Sequence, residues 1–136
     1  MVDSCILIDW MRKAESPVLR LEPFLRAHRI VSCAIIRAEV VRGILDREVK
    51  EEIGALFDVI PEIPLSAARW KDLAETAWAL DRKGNILPLT DLAIAACALA
   101  SEAVVVTTDP HFKRIPGLKV RKDLPGVNTI GIEGAI

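Results

Sequence analysis

The sequence is poor in histidine, cysteine and aromatic residues, and these shortages exclude several kinds of site. Its 136 residues include two histidines, three cysteines and no tyrosine, and aromatic residues make up only 4%. No C-x-x-C pair and no H-E-x-x-H motif occurs, so neither type of zinc site is indicated. The scarcity of aromatic rings also argues against a stacking platform for single-stranded nucleic acid.

Glycine-rich and nucleophile motifs are also missing. The chain contains no G-x-G-x-x-G, no G-x-x-x-x-G-K-[ST] and no G-x-S-x-G. His111 lies near Asp109, but without a serine in an elbow motif the two do not indicate a catalytic triad. A receiver or phosphatase-like domain needs a phosphate-binding lysine after a late strand, and only Lys113 is a candidate. Nucleotide binding, serine hydrolysis and phosphotransfer are therefore disfavoured.

Long apolar runs are absent as well, because no stretch approaches the roughly 18 residues of a membrane span. The first residues include an acid and no basic region, so they do not indicate a signal peptide. Cys5, Cys33 and Cys97 lie in apolar stretches, which is typical of a reduced cytoplasmic protein. The length suits one core. We therefore expect a single cytoplasmic domain over residues 1–136, with no membrane partner.

Charge is nearly balanced but unevenly distributed. The net charge of −1 gives no basic field of the kind that marks a general DNA-binding protein. Residues 110–122 nevertheless contain five basic side chains and no acid until Asp123. These five, called the basic segment below, are Lys113, Arg114, Lys119, Arg121 and Lys122. They are either an ordinary solvated surface or a track for a phosphate backbone beside a site.

Hydrophobic patterns predict strands that alternate with helices. Buried strands are expected at 29–33 and 103–107, an edge strand at 58–63 and a short strand at 118–120. The predicted helices cover 5–12, a segment from 17 onward, 35–43, 46–57, 66–84 and 91–101. Ser4 and Thr90 are expected to cap the first and the last. This alternation predicts the α/β class, as a three-layer α/β/α sandwich with a central parallel sheet.

Four acids stand at the edges of apolar runs: Asp3, Glu39, Asp91 and Asp109. Asp3 and Asp109 follow predicted strands, Asp91 falls in the first turn of a helix, and Glu39 lies about two turns into another. The carboxyl ends of parallel strands form one rim, so these side chains are expected to converge. Four like charges on one rim need a cation, and carboxylate oxygens suit Mg²⁺ or Mn²⁺. Such a site is suited to phosphodiester hydrolysis.

Four motifs carry a family resemblance: D-S-C-I-L-I-D at 3–9, A-E-V-V-R-G at 38–43, T-D-L-A-I-A-A-C-A at 90–98, and T-T-D-P-H-F-K-R-I-P-G-L at 107–118. In this order and spacing they resemble PIN-domain ribonucleases, most closely the VapC-type toxins of prokaryotic toxin–antitoxin pairs. The resemblance covers about residues 2–120. It implies a metal-dependent endoribonuclease that acts as the toxin of a type II pair.

The resemblance also implies roles and partners. Asp3, Glu39, Asp91 and Asp109 would be the catalytic acids and hold one or two Mg²⁺ or Mn²⁺ ions. Ser4 and Thr107 match hydroxyl positions that orient these groups, although a helix cap accounts equally well for Ser4. The implied partners are an RNA substrate, a VapB-like antitoxin and a second copy in a homodimer. The alternative is a degenerate PIN-like scaffold that binds RNA or regulates, against which the complete set of acids argues.

Several neighbouring residues carry further expectations. Asp9 should face away from the site as a surface group or in a local ion pair. Arg42 either pairs with Glu39 or contacts substrate phosphate, and Arg37 flanks the same acid. Only Met1 and Val2 precede Asp3, so the first strand should make two or three ladder bonds.

Apolar residues predict core and contact surfaces. Trp10, Trp70 and Trp78 are expected in the core. An antitoxin helix is expected in a groove formed with the helix after Glu39, with an Arg or Lys placed among the acids. The groove residues are Trp10, Met11, Leu21 and Leu25. The apolar stretch 127–136 is expected to contact a second copy.

Overall fold

A computed structural model describes residues 1–126 of the chain. The predicted stretch 127–136 for dimer contacts lies outside these residues. Within them six α-helices enclose short parallel strands and one 3₁₀ helix. The helices are α1 (Ser4–Arg12), α2 (Pro17–Arg26), α3 (Ala34–Arg42), α4 (Arg47–Val59), α5 (Ala67–Arg82) and α6 (Leu89–Ala100); the strands are β1 (Val105–Val106) and β2 (Val120–Arg121), and the 3₁₀ helix is Pro110–Arg114.

The helix starts agree with the sequence except at two places. Helix α1 is capped by Asp3, whose Oδ1 accepts the Ser4 backbone N–H at 2.8 Å, so the prediction of a Ser4 cap is wrong. Helix α6 follows Pro88 and already includes Leu89, which places Thr90 inside the first turn and makes the predicted cap wrong as well. Proline fixes its own φ, and a helix readily begins after it without a side-chain cap. Helix α5 ends before Gly84, whose φ of 73° matches the expected stop.

A parallel ladder lies at the centre of the fold. Strand β1 pairs with β2 on one side, in the register Val105 to Val120, and bridges to Val2 on the other. The first segment makes three backbone bonds: the Met1 amino group to the Val104 carbonyl at 2.9 Å, Val106 N–H to Met1 at 2.8 Å, and Asp3 N–H to Val106 at 3.0 Å. The expected two or three ladder bonds are thus confirmed. The fully buried Val105 is central, as predicted for 103–107.

The two other predicted strands are reduced to one parallel bridge between Ser32 and Glu62. Ser32 donates its N–H to the Pro61 carbonyl at 2.9 Å and accepts from Ile63 at 2.8 Å. Pro61 has no N–H and cannot extend the ladder, so the pairing stays short. Helix α4 also continues to Val59, which removes the start of the predicted edge strand. The strand boundaries 29–33 and 58–63 are therefore wrong, although both segments are extended neighbours.

Helix α6 is the most buried helix of the described chain, and Ile94 and Ala98 have no exposed surface. Trp10 is buried as predicted, but Trp70 and Trp78 are 45% and 61% exposed, so their placement in the core was wrong. Helix α5 is an outer helix that buries only Leu73 and Leu80, and the two tryptophans lie outside that stripe. Arg82 lies over the Trp78 ring at 5.6 Å and shields part of it.

Helices and a parallel sheet in this order place the described chain in the α/β class, as the sequence predicted. Among residues 1–126 no helix combines the length and the apolar character needed to cross a bilayer. Asp3 and Asp109 both follow strand segments that run in the same direction. They therefore lie at the same edge of the sheet, which is where the site is built.

Candidate metal centre

Asp3 is held at the junction of the first strand segment and α1. The residue is 3% exposed, and its carboxylate accepts three hydrogen bonds. Oδ1 accepts the Ser4 backbone N–H as the helix cap, while Oδ2 accepts the Thr107 hydroxyl at 2.7 Å and the Cys5 thiol at 3.2 Å. The backbone N–H of Asp3 bonds to Val106. Helix, ladder and hydroxyl together fix both the position and the rotation of this carboxylate.

Glu39 reaches the same region from α3, where it is half-buried. Its Oε2 accepts the Ser4 hydroxyl at 2.7 Å. Ser4 therefore joins two acids, because its N–H donates to Asp3 and its side chain donates to Glu39. The sequence left two roles open for Ser4. Its hydroxyl orients the Glu39 carboxylate and does not cap α1.

Asp91 and Asp109 meet across His111. Asp91 lies in the first turn of α6, and Asp109 caps the 3₁₀ helix by accepting the His111 backbone N–H at 2.9 Å. The His111 Nδ1 atom then lies 2.9 Å from Asp91 Oδ2 and 3.2 Å from Asp109 Oδ1. One ligand atom from each of these three residues falls within 4.8 Å of the others. Three potential metal ligands thus face a single point.

Thr107 connects the two halves of the site. Its buried hydroxyl donates to Asp3 and accepts the Asp109 backbone N–H at 3.0 Å. A continuous series of contacts therefore runs Asp91, His111, Asp109, Thr107, Asp3, Ser4, Glu39. The structure brings all four predicted acids and both predicted hydroxyls into one network.

His111 is the residue that sequence reasoning missed. The sequence presents it only as half of a triad with Asp109, and no elbow serine completes that triad. A usable signal was its position two residues after Asp109 and directly before Phe112, which is fully buried. Because Phe112 is buried and Asp109 caps the 3₁₀ helix, the His111 ring between them is restricted in the directions in which it can point.

The electrostatics agree with a site built for a cation. Burial raises the pKa of Asp91, and the negative charges of Asp109 and Asp3 raise it further, whereas the hydrogen bond from His111 lowers it. Two like charges separated by 4.8 Å, the limit of this cluster, repel by about 3.5 kcal/mol at an effective dielectric constant of 20. Without a cation the ionised carboxylates destabilise one another.

The ion pairs of the charged residues around the network either agree with the sequence predictions or select one of the alternatives that the sequence left open. Asp9 forms an exposed ion pair with Lys13 at 2.7 Å, which confirms a surface role. Arg37 pairs with Asp58 at 2.7 Å and not with Glu39. Arg42 is exposed and has no ion-pair partner within residues 1–126, so pairing with Glu39 is not observed. This leaves Arg42 available to a substrate phosphate.

The predicted antitoxin groove is only partly present. Trp10 and Leu21 are 8% and 1% exposed and belong to the core, so they do not line an open groove. Met11 and Leu25 are half-buried. Arg20 covers the Trp10 ring at 4.8 Å, which closes it further. The apolar side chains that α2 and the α4 region do present to solvent are Leu19, Leu45, Val49 and Val59.

A cavity of about 400 Å³ lies elsewhere and contains none of the four acids. Phe24, Ile30 and Val104 are among its lining residues, and Glu102 and Ala103 place it near the start of β1. Ligands of parallel α/β sheets bind at the opposite, carboxyl edge. Convergent polar groups therefore identify the candidate site better than cavity size does.

The fold and this carboxylate-lined edge define a class of protein. The sequence profile of the PIN domain matches residues 1–118. The chain therefore belongs to the PIN-domain family.

Particular relatives can also be named. The chain is 31% identical to Ribonuclease VapC2 of Rickettsia felis over 124 residues, which is 87% of this chain and 92% of that protein. It resembles the crystal structure of VapBC2 from Rickettsia felis bound to a promoter DNA fragment, with a TM-score of 0.70 and 27% identity over 89% of this chain and 96% of that one.

A second solved structure shares the fold. VapBC-1 from nontypeable Haemophilus influenzae matches with a TM-score of 0.67 and 24% identity over 89% of this chain and 95% of that one. Both likenesses confirm the predicted α/β/α fold with its parallel sheet. The match to Ribonuclease VapC2 and to the VapBC2 structure confirms the resemblance to VapC-type proteins.

The residues present fit the divalent ion that the PIN fold implies. Carboxylate oxygens are the donors that Mg²⁺ and Mn²⁺ prefer, and the site offers four carboxylates on one network. Hydrogen bonds from Ser4 and Thr107 hold two of these acids from outside, which is the usual support of a metal ligand. Asp109 Oδ2 receives no hydrogen bond within the described chain and remains open to a cation.

Proposed function

We propose that this protein is a metal-dependent endoribonuclease and the toxin of a type II toxin–antitoxin pair. The observation that carries the proposal is the hydrogen-bonded network that joins Asp3, Glu39, Asp91 and Asp109 at the carboxyl edge of the sheet. Membership of the PIN-domain family and the likeness to a protein named Ribonuclease VapC2 support the same activity.

In this proposal the four acids hold Mg²⁺ or Mn²⁺. When bound, the ion would neutralise the clustered charge and polarise the scissile phosphodiester. Thr107 fixes the Asp3 carboxylate and Ser4 the Glu39 carboxylate, so that neither rotates when RNA arrives. Preorganised carboxylates lower the cost of assembling the site at the moment of reaction.

The RNA strand would be bound mainly through its phosphates. All five side chains of the basic segment are exposed, and none forms an ion pair with an acid within residues 1–126. The segment begins at the same 3₁₀ helix that carries His111, so it leads directly away from the acids. Arginine and lysine side chains without ion-pair partners attract the phosphates of a polyanion. Beside the carboxylate site, they would hold the RNA strand with its scissile bond at the metal.

An assay of RNA cleavage tests the metal and the acids together. Purified protein should cut RNA with Mg²⁺ or Mn²⁺, lose that activity in excess EDTA and regain it when the ion is restored. Asp3→Asn, Asp91→Asn and Asp109→Asn should each abolish cleavage. Asp9→Asn is the matched control, because it changes an exposed acid on the same helix as the Asp3 cap.

Two outcomes would count against this function. Cleavage that survives EDTA would remove the metal mechanism. RNA binding without cleavage under any metal condition would favour the degenerate scaffold instead.

We further propose that an antitoxin regulates this site. The solved relatives are VapBC assemblies, which supports a small partner protein for this chain as well. Leu19, Leu45 and Val49 are exposed apolar side chains near the α2–α4 pair and suit an amphipathic helix. A basic side chain of the antitoxin would then neutralise the acids in place of the metal.

Co-expression tests this partnership. The protein and a VapB-like antitoxin should elute as one complex with suppressed nuclease activity, and Leu19→Asp with Val49→Asp should separate them. Cytoplasmic location and a homodimer also belong to this proposal, and both remain predictions.

A further inference from the structure

We propose that His111 is a nitrogen ligand of the metal centre and makes the site prefer Mn²⁺ over Mg²⁺. This inference rests on the proposed metal-dependent function and deepens it. Four carboxylates alone would form an all-oxygen site, for which Mg²⁺ is a natural occupant. An imidazole among them changes the chemistry of the donor set.

The ring nitrogen of His111 lies within hydrogen-bonding distance of two acids at once. Its Nδ1 atom is 2.9 Å from Asp91 Oδ2 and 3.2 Å from Asp109 Oδ1, and the two oxygens come from separate helices. A ring nitrogen carries either one proton or one lone pair, so it cannot direct a linear bond to both oxygens. A cation placed among three donors can be shared by all of them.

The spacing also agrees with coordination. Adjacent donors of an octahedral ion with bonds near 2.1 Å lie about 3 Å apart. The two distances from Nδ1 bracket this value, and all three ligand atoms fall within 4.8 Å.

The position of the ring is set by the chain and not by the side chain alone. Asp109 Oδ1 accepts the His111 backbone N–H, Pro110 restricts φ at the start of the turn, and Phe112 is fully buried. The 3₁₀ turn is therefore anchored on both sides of His111. A preoriented imidazole loses little freedom when it binds an ion.

Nitrogen donors favour Mn²⁺ over Mg²⁺. Mg²⁺ is a hard ion that is held by oxygen and retains its waters, whereas Mn²⁺, which also suits carboxylates, is a first-row transition ion and accepts imidazole more readily. His111 should therefore increase the ratio of Mn²⁺ to Mg²⁺ affinity without being needed for the fold.

Mn²⁺ electron-spin-echo spectroscopy on the full-length protein tests this without relying on activity. With MnCl₂ alone, the spectrum of the wild-type protein should show coupling of Mn²⁺ to one histidine nitrogen. Labelling with ¹⁵N-histidine should replace the ¹⁴N coupling by a ¹⁵N coupling. His111→Asn should abolish the coupling. His28→Asn is the matched control: His28 is the other histidine, is exposed, and has a φ of 52° that asparagine tolerates.

Competition titrations supply the second measurement. Displacement of Mn²⁺ by Mg²⁺ should show the affinity ratio falling about tenfold or more in His111→Asn and His111→Asp, and staying unchanged in His28→Asn. His111→Asp keeps a charged oxygen donor, so it separates loss of nitrogen from loss of a ligand.

Each possible result either supports or overturns the role of His111 as a metal ligand. Nitrogen coupling and a ratio that both depend on His111 support the inference. Tight Mn²⁺ binding without histidine coupling, or an unchanged ratio, would overturn it while leaving the metal-dependent function intact. Failure of the wild-type protein to bind Mn²⁺ would overturn the inference and leave Mg²⁺ as the ion of the proposed function. Cleavage that survives EDTA would overturn the metal-dependent function itself.

Discussion

Thr107→Val is the sharpest perturbation of the site, because it removes one hydroxyl and preserves the shape of the side chain. Thr107 is 2% exposed, and its hydroxyl donates to Asp3 Oδ2 at 2.7 Å and accepts the Asp109 N–H at 3.0 Å. The variant leaves the buried Asp3 oxygen with only the weak Cys5 thiol donor at 3.2 Å. The Asp109 N–H, near a half-exposed side chain, can bond to water instead.

The expected loss of stability follows from these two lost hydrogen bonds. A buried charged acceptor that loses its donor costs about 1.5–3 kcal/mol, and the solvated N–H costs little. We therefore expect the free energy of unfolding to fall by about 2–3 kcal/mol. For a domain of this size that lowers the melting temperature by roughly 10 °C.

Thr107→Ser is the control, because it keeps the hydroxyl and loses a buried methyl group. Its expected cost is about 1 kcal/mol. Urea unfolding of all three proteins in EDTA measures the difference without interference from bound ions. A Val variant as stable as the Ser variant would show that the hydroxyl does not hold Asp3.

Three further outcomes are expected. Because the folded-state pKa of Asp91 lies above its ordinary value, this carboxyl binds a proton more tightly in the folded protein than in the unfolded chain; the stability of the metal-free protein relative to Asp91→Asn should therefore rise as pH falls towards about 4, as measured by urea unfolding. Lys119→Gln with Lys122→Gln should weaken RNA binding and reduce the salt slope by about 1.4, for two phosphate contacts, in anisotropy titrations in the cleavage-deficient Asp109→Asn background, and Lys71→Gln on α5 should change neither. Light scattering should give twice the chain mass; a monomer at micromolar concentration would contradict the homodimer.

Local chemistry allowed the sequence to predict much of this protein by itself. The four acids lie at the edges of apolar runs. Strand ends and a helix start place Asp3, Asp109 and Asp91, whereas Glu39 lies later in its helix. Helix starts at Ser16 and Ser66, the stop at Gly84 and the ion pair of Asp9 with Lys13 depend on neighbours within about one helical turn. Interactions of this range are visible in a sequence.

Only the tertiary structure decided how the acids are connected. The Ser4 hydroxyl turns to Glu39, which is 35 positions away, and Thr107 reaches Asp3 across 104 positions. His111 meets Asp91 because α6 packs beside the 3₁₀ helix, a contact that no local pattern encodes. Trp70 and Trp78 are exposed for a similar reason, since the face that α5 buries depends on where α6 lies. Periodicity reveals that a helix has an apolar face, whereas long-range packing decides which side chains meet another element.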